Sequence, residues 1–305
     1  TFNIGADFEA WRGKLGASFD YFQRIRRGIF SRNSVGLPTI VGASAPYENL
    51  DSDSHLGLEL ELYHKNKVGE FSYEVKTMMS VTRQKHLVAS QNGGYGNSYD
   101  KWRHDNLNNR YQGVQFGFEA AGRYESWEDI WSYDIYKENN LLPGDYKYLD
   151  WNGDGEINGY EAHPIAFDQT PWMNYSLSFS LAWKGLDFSM LWQGSALGSM
   201  KYSEPLYNIW GSTGGGTLVQ YLHRWHPTET GADIYDPETE WIPGYYGFTG
   251  HYPDENSSFN RVSTAFLRLK SVEVGYTIPK FKKAQNFSLR VYANAYNPVT
   301  ITAVK

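Results

Sequence analysis

The 305-residue sequence predicts an all-β fold, an antiparallel transmembrane β-barrel present as an incomplete arc of about ten strands. Three observations predict it. Apolar and polar residues alternate with period 2 in segments of about 9–11 residues, the span of a tilted membrane strand rather than the ~5–6 residues usual in soluble proteins. Short connections (11–13, 64–69, 184–185, 279–285) alternate with long, glycine-rich and aromatic ones (24–54, 83–112, 197–263), the asymmetry of periplasmic turns and extracellular loops. Trp183, Trp192, Tyr63 and Tyr276 fall near strand ends, where an interfacial aromatic girdle belongs.

The strands follow in order. Phe2, Ile4, Ala6, Phe8 and Ala10 share one face against Asn3, Gly5, Asp7 and Glu9; after a break at Trp11–Gly13, Leu15, Ala17, Phe19 and Tyr21 alternate with Lys14, Gly16, Ser18 and Asp20. Leu56, Leu58, Leu60 and Leu62 oppose Gly57, Glu59, Glu61 and Tyr63, and Phe71, Tyr73, Val75, Thr77 and Met79 oppose Ser72, Glu74, Lys76 and Met78. Val114, Phe116, Phe118 and Ala120 make a further face. Tyr175, Leu177, Phe179, Leu181 and Trp183 alternate with serines, and a Lys184-Gly185 turn leads to Leu186, Phe188, Met190 and Trp192. The last pair is Phe266–Ile278 with Phe287–Tyr296; its first strand slips phase near Lys270-Ser271, which predicts a β-bulge. Up–down parity asks for one more strand between Arg123 and Thr170. The rows Leu56–Leu62 and Tyr175–Trp183 carry no charge over a full membrane strand and are expected to face lipid.

Composition narrows the function. Aromatic residues make up 17% of the chain, with 30 glycines and 12 prolines, which suits strands and turns over helical bundles. No 18-residue apolar run exists to form a transmembrane helix. With 28 basic against 34 acidic residues and no basic stripe, nucleic acid is not an expected partner. Zero cysteines exclude disulfides, thiol catalysis and Cys-ligated metal. Residues 1–10 begin in mid-alternation and Thr300–Lys305 follow a strand without a terminal aromatic, so the chain reads as an open arc of a larger barrel whose edges other segments complete.

One motif carries metal chemistry. Asp150, Asn152 and Asp154 offer hard oxygens at positions 1, 3 and 5 of a twelve-residue calcium loop. Gly155 stands at the sharp turn of position 6, Glu156 supplies its carbonyl at 7, Asn158 holds a water at 9, and Glu161 closes the loop at 12. Pro143-Gly144-Asp145 before it and His163-Pro164 after it argue against flanking helices, and an Asx-turn loop without an ion is the competing reading. If an ion is held, its role is to pin a long loop.

Other candidates are weaker. His223 and His226 lack the spacing of a zinc hydrolase helix, and Gly214–Gly216 lack the lysine of a phosphate loop. The carboxylate pairs Glu125/Glu128 and Glu238/Glu240 resemble a glycosidase dyad only in spacing. Aromatic residues crowd two expected extracellular loops, 125–170 and 197–263: Trp127, Trp131, Tyr133 and Tyr136 in one, Tyr207, Trp210, Trp241, Tyr245, Tyr246 and Tyr252 in the other. Their flat faces either stack on sugar rings and apolar ligands or pack the loops on each other. Trp127, Trp131, Tyr207, Trp210, Trp241, Tyr245 and Tyr246 are the candidate substrate contacts.

Several phrases then coincide: Leu142–Asp145 running into Tyr148–Gly155; Trp183–Phe188 followed by Trp192–Gly194; His223–Trp225; and Phe266–Pro279 ahead of Leu289–Tyr292 and Asn297. In this order they resemble the C-terminal half of the SusC/RagA family of TonB-linked outer-membrane transporters, over nearly the whole chain. Two departures are His226, where the family usually has Thr, and Pro298 directly after Asn297. The resemblance implies a plugged barrel of about 22 strands in the bacterial outer membrane, of which residues 1–305 form the C-terminal part. It implies import of glycans or peptides under a SusD-like surface lipoprotein, energised by TonB through a region outside this chain, and no enzyme activity. A soluble aromatic-rich carbohydrate-binding or glycoside-hydrolysing β domain is the reading from another class.

Overall fold

Eight of the alternating segments join in one antiparallel sheet in which every strand pairs with its neighbours in chain order. The structure, a computed structural model, describes residues 1–33, 39–90, 98–136, 140–208, 218–278 and 288–304. The sheet strands are β1 (Phe2–Ala10), β2 (Leu15–Arg32), β3 (Tyr47–Val68), β4 (Phe71–Val88), β5 (Met173–Trp183), β6 (Leu186–Ala196), β7 (Phe266–Ile278) and β8 (Leu289–Thr302). The turn expected at 279–285 lies outside the described residues.

At one end of the sheet the connections are tight. Lys184 and Gly185 both have positive φ (48° and 82°), the two-residue hairpin geometry that matches the twist of the flanking strands, and Trp183 pairs with Leu186 across it. Gly69, with φ 61°, opens the equivalent turn between Val68 and Phe71. The bulge predicted at Lys270 is present: the register slips between Leu269 and Ser271 toward β8, and opposite Leu191 and Trp192 toward β6.

Because side chains alternate across a strand, register fixes what shares a face. The row Phe8–Ala17–Leu62–Thr77–Leu177–Trp192–Leu269–Val299 crosses all eight strands without a charge. So does Ala6–Phe19–Leu60–Met79–Tyr175–Gly194–Leu267–Ile301. One residue away, Asp7–Ser18–Glu61–Met78–Ser176–Gln193–Arg268–Thr300 forms a polar row on the other face. There Lys76 pairs with Glu61 at 2.7 Å, and Arg290 bridges Asp187 and Glu273. Among the described residues no protein core packs on the apolar face: Phe8 is 57% exposed and Leu58 42%. A contiguous apolar sheet face of this extent marks contact with something other than water.

The predicted count of about ten strands is corrected to eight in the sheet. Val114–Ala120 contributes no sheet strand. Gln115–Gly117 instead pairs with His163–Ala166, and no further sheet strand lies in the described residues between Arg123 and Thr170. Parity holds without it, since Met173 of β5 pairs directly with Val81 of β4 and the chain from 89 to 172 leaves and returns at the same end. The alternation at 114–120 reflects burial inside that excursion, where Phe118 packs on Tyr148 and bridges to Ser257. The long connections expected at 24–54 and 83–112 are shorter than predicted, because β2 runs on to Arg32, β3 starts at Tyr47 and β4 continues to Val88. These extensions hold buried polar groups, Asp53 receiving Arg26 and Gln84, which erases the alternation that marks the rest of the sheet.

The excursions 89–172 and 197–265 fold together into a loop domain at the other end of the sheet. Its core is Tyr146, Tyr148 and Ile157 with Phe118 and Phe259 against them. Ala120–Arg123 pairs with Tyr146–Tyr148, and Ser199–Lys201 with Arg261–Ser263.

Candidate functional site

The twelve-residue acidic loop hangs from this core. Ile157 is buried within it, and Ile135–Tyr136 pairs in parallel with Glu156–Ile157. The loop ends in a 3₁₀ turn, Gly159–Glu161, and its flanks are two strands, Tyr146–Tyr148 and His163–Ala166, so no helix stands on either side, as the sequence implied. Within the loop the carboxylates are positioned by backbone amides. Asp150 accepts from Gly153 at 2.7 Å and Gly155 at 2.8 Å; Asn152 accepts from Asp154 at 2.8 Å; Asp154 accepts from Glu156 at 2.9 Å. Gly153 and Gly155 take positive φ (76° and 83°), which lets the chain turn tightly between Asp150 and Glu156.

One oxygen from each of Asp150, Asp154 and Glu161 lies within 4.8 Å of the others. Glu161 is fully buried; its Oε2 accepts the Trp151 and Asn152 amides at 2.6 and 3.0 Å, while its Oε1 has no hydrogen-bond partner among the described residues. Burial lifts the Glu161 carboxyl above the ordinary range, the two amides pull it back, and the charges of Asp150 and Asp154 lift it further. For Asp150, slight burial raises the carboxyl but the amides of Gly155, Gly153 and Asp154 outweigh it and hold it low. A buried carboxylate oxygen without a donor, facing two further carboxylates, is an arrangement of hard oxygens that could hold a cation such as calcium. Asn158 Oδ1 accepts the Tyr160 amide and caps the 3₁₀ turn.

The second feature is a cleft in two lobes of about 1020 and 460 Å³ that share Tyr146, Tyr202 and Tyr207 as a common wall. The larger lobe is polar, with Asp145, His251, Asp254 and Glu255. Asp145 is anchored by the Leu142 amide at 2.7 Å and faces His251 Nδ1 at 2.8 Å. The smaller lobe is aromatic, with Tyr245, Tyr246 and Phe259. Arg123 lies over the Tyr146 ring at 3.9 Å and donates to the carbonyls of Gly144 and Tyr245, tying the two excursions together. Burial pushes the Tyr146 phenol up, against the pull of that guanidinium.

Of the seven predicted aromatic contacts, the structure brings Tyr207, Tyr245 and Tyr246 to this cleft. Trp127 packs beside Trp131 and Tyr235, and Trp241 packs edge-on against Phe248, each away from it. Trp210 lies outside the described residues, as do Gly214–Gly216. Sequence reasoning missed Tyr146, Tyr148, Tyr202 and Arg123, which converge only through strand pairing across long separations; Tyr146 and Tyr148 alternating ahead of the acidic loop was the signal available. Glu125, Glu128, Glu238 and Glu240 are exposed and line neither lobe, and His226 contacts the Pro227 carbonyl.

The fold and this site define a segment of a β-sheet wall capped by an interlocked loop domain. No protein-family model and no curated protein matches the chain. Among solved structures it is similar to the RagAB peptide transporter, at TM-score 0.64 and 19% identity, covering 99% of this chain and 31% of that one. The RagAB peptide importer in its "closed-closed" state matches at TM-score 0.63 and 19% identity over 98% of this chain and 31% of that one. Its "open-open" state matches at TM-score 0.63 and 20% identity over 98% and 30%. The likeness is one of fold, and the chain spans about a third of the length of those transporter chains.

Proposed function

We propose that this chain is part of the wall and extracellular face of an outer-membrane transporter that imports glycans. The observation that carries it is the register: two charge-free rows cross all eight strands on one face while polar rows line the other, the division expected between lipid and lumen. The fold likeness to RagAB chains over nearly the whole length supports it. On this reading a SusD-like lipoprotein covers the loop domain and TonB supplies energy through a region outside this chain. The cleft walled by Tyr146, Tyr202, Tyr207, Tyr245 and Tyr246 contacts passing substrate, its rings suited to sugar faces. Peptide cargo is the second reading, favoured by what the structural neighbours transport.

We further read the Asp150–Glu161 loop as a calcium site. Asp150, Asn152, Asp154, the Glu156 carbonyl and Glu161 would hold the ion, which supplies charge neutralisation and rigidity, not catalysis.

The test is a deletion strain grown on a panel of glycans and peptides as sole nutrients, with outer-membrane fractionation of the tagged full-length protein. Loss of growth on one glycan class is expected. Loss confined to peptides replaces the glycan reading, and a full-length protein that partitions into buffer without detergent ends the transporter reading in favour of a soluble β domain.

A further inference from the structure

The charge-free face stops abruptly at the loop end of the sheet. Its last fully apolar row is Ile4–Tyr21–Leu58–Val81–Met173–Ala196. One two-residue step beyond, about 7 Å along the strand, the same face shows Gln23–Leu56–Arg83; the next step shows Ile25–Ser54–Lys85 bridged to Tyr111, and the next Arg27–Ser52. Three cations thus stand on the apolar side of the wall, about 7, 14 and 20 Å beyond its last apolar row along the strands.

Arg26, adjacent in sequence to Arg27 but on the opposite face, is bound by Asp53. No salt bridge engages Arg27, Arg83 or Lys85 among the described residues. Arg83 is clamped between aromatic rings, 3.4 Å over Tyr111 and 4.0 Å over Trp172, and its Nε is buried without a partner. Lys85 lies 5.8 Å from the Tyr111 ring centre. Stacking fixes a guanidinium in place while leaving its edge to meet an anion, and aromatic rings with Arg and Lys at the border of an apolar belt are interfacial anchors.

We propose that Arg83, Lys85 and Arg27 form a docking site for the phosphate groups of an anionic glycolipid of the outer leaflet, whose acyl chains lie along the Tyr21–Leu58–Val81 row. This rests on the outer-membrane reading. Charge complementarity and continuity with the apolar belt select a lipid occupant over a soluble anion, which has no use for the adjoining face.

The test uses the full-length protein in detergent, with lipid A as the probe and native mass spectrometry or equilibrium binding as the readout. Wild type should retain lipid A through detergent exchange. Arg83→Gln and Lys85→Gln together should weaken retention at least about tenfold, the loss of a charge-assisted contact. Arg24→Gln, which removes a cation from the polar face of β2 at the same end of the sheet, should leave it unchanged. Equal retention by the double variant and wild type, or equal retention of dephosphorylated lipid A, overturns the proposal. Outer-membrane fractionation of the variants separates this failure from failure of the transporter reading, because a correctly localised protein indifferent to lipid A refutes the docking site alone.

Discussion

Tyr63 of β3 reaches across β2 and donates its hydroxyl to Glu9 of β1 at 2.7 Å. It crosses above Gly16, where a Cβ would stand 2.2 Å from the ring. The glycine is therefore a groove on the polar face that lets one aromatic side chain tie three strands. Gly16→Val should destabilise the sheet by about 1–3 kcal/mol through overpacking. The double variant Gly16→Val/Tyr63→Ala should recover much of that loss. Heat-modifiable mobility of the full-length protein measures both; a double variant no better than Gly16→Val shows that the ring is not the obstacle.

Arginine at Leu60 or Phe179, in the middle of the charge-free rows, should cost about 2–4 kcal/mol and depress the yield of folded protein in the membrane. The neighbouring substitutions Glu61→Arg and Ser178→Arg should be mild, Glu61→Arg being the harsher because it meets Lys76 instead of pairing with it. Equal tolerance on both faces would refute the assignment of lipid and lumen.

Chelation should loosen the Asp150–Glu161 loop and leave the sheet intact. Limited proteolysis near Asp150 is expected to rise on removal of calcium, and Asp154→Ala should reproduce the effect in calcium-containing buffer. Glu161→Gln probes the buried ligand: it keeps an acceptor for the Trp151 and Asn152 amides but removes the charge, so it should fold and lose the calcium response. Protection unchanged by chelator leaves the amide-bonded Asx-turn network as the whole account of the loop.

The Asp129–Lys147 pair gives a pH dependence. Partial burial raises the Asp129 carboxyl, but the Lys147 ammonium at 2.6 Å and the Glu125 amide outweigh it and hold it below the ordinary 3.8. A depressed carboxylate stabilises fully above its unfolded value and loses that contribution as pH falls through the lower folded one. Hydrogen exchange over residues 120–148 should therefore accelerate below about pH 4. Asp129→Asn should exchange faster at neutral pH and show a smaller acid response; an unchanged acid response assigns the effect to other carboxylates.

How legible was this in the sequence? The pairing of charge-free rows, the Lys184-Gly185 turn and the Lys270 bulge all follow from local alternation and turn chemistry, which act over a few residues. The acidic loop was legible because its Asp and Asn side chains recur at fixed spacing, which places Asp150, Asp154 and Glu161 together. The strand count failed at Val114–Ala120, where Phe118 alternates for burial against Tyr148 rather than for a membrane, and period 2 looks the same in both. The cleft was only half visible. Tyr207 and Tyr246 meet Tyr146 through contacts between separate excursions, such as the Gly247 amide on the Tyr146 hydroxyl, and nothing local encodes such meetings.

The neighbour-to-neighbour strand order carries a kinetic consequence. Five of the seven strand pairings join consecutive strands across a short turn or a modest loop, but β4 must find β5 after the chain has travelled from Val88 to Met173, and β6 must find β7 after Ala196 to Phe266. Closing a slack loop of that size is entropically costly before any ladder bond forms. The loop domain shortens the search: Arg110 and Gln112 already bond to His86 and Gln84, and Trp172 bonds to Thr82, at the mouth of the first excursion. Arg123 and Tyr146 stitch the second excursion onto it. Once formed, this knot acts as a splint that delivers two hairpins in register, so damage to its core should slow assembly of the wall far from the substitution.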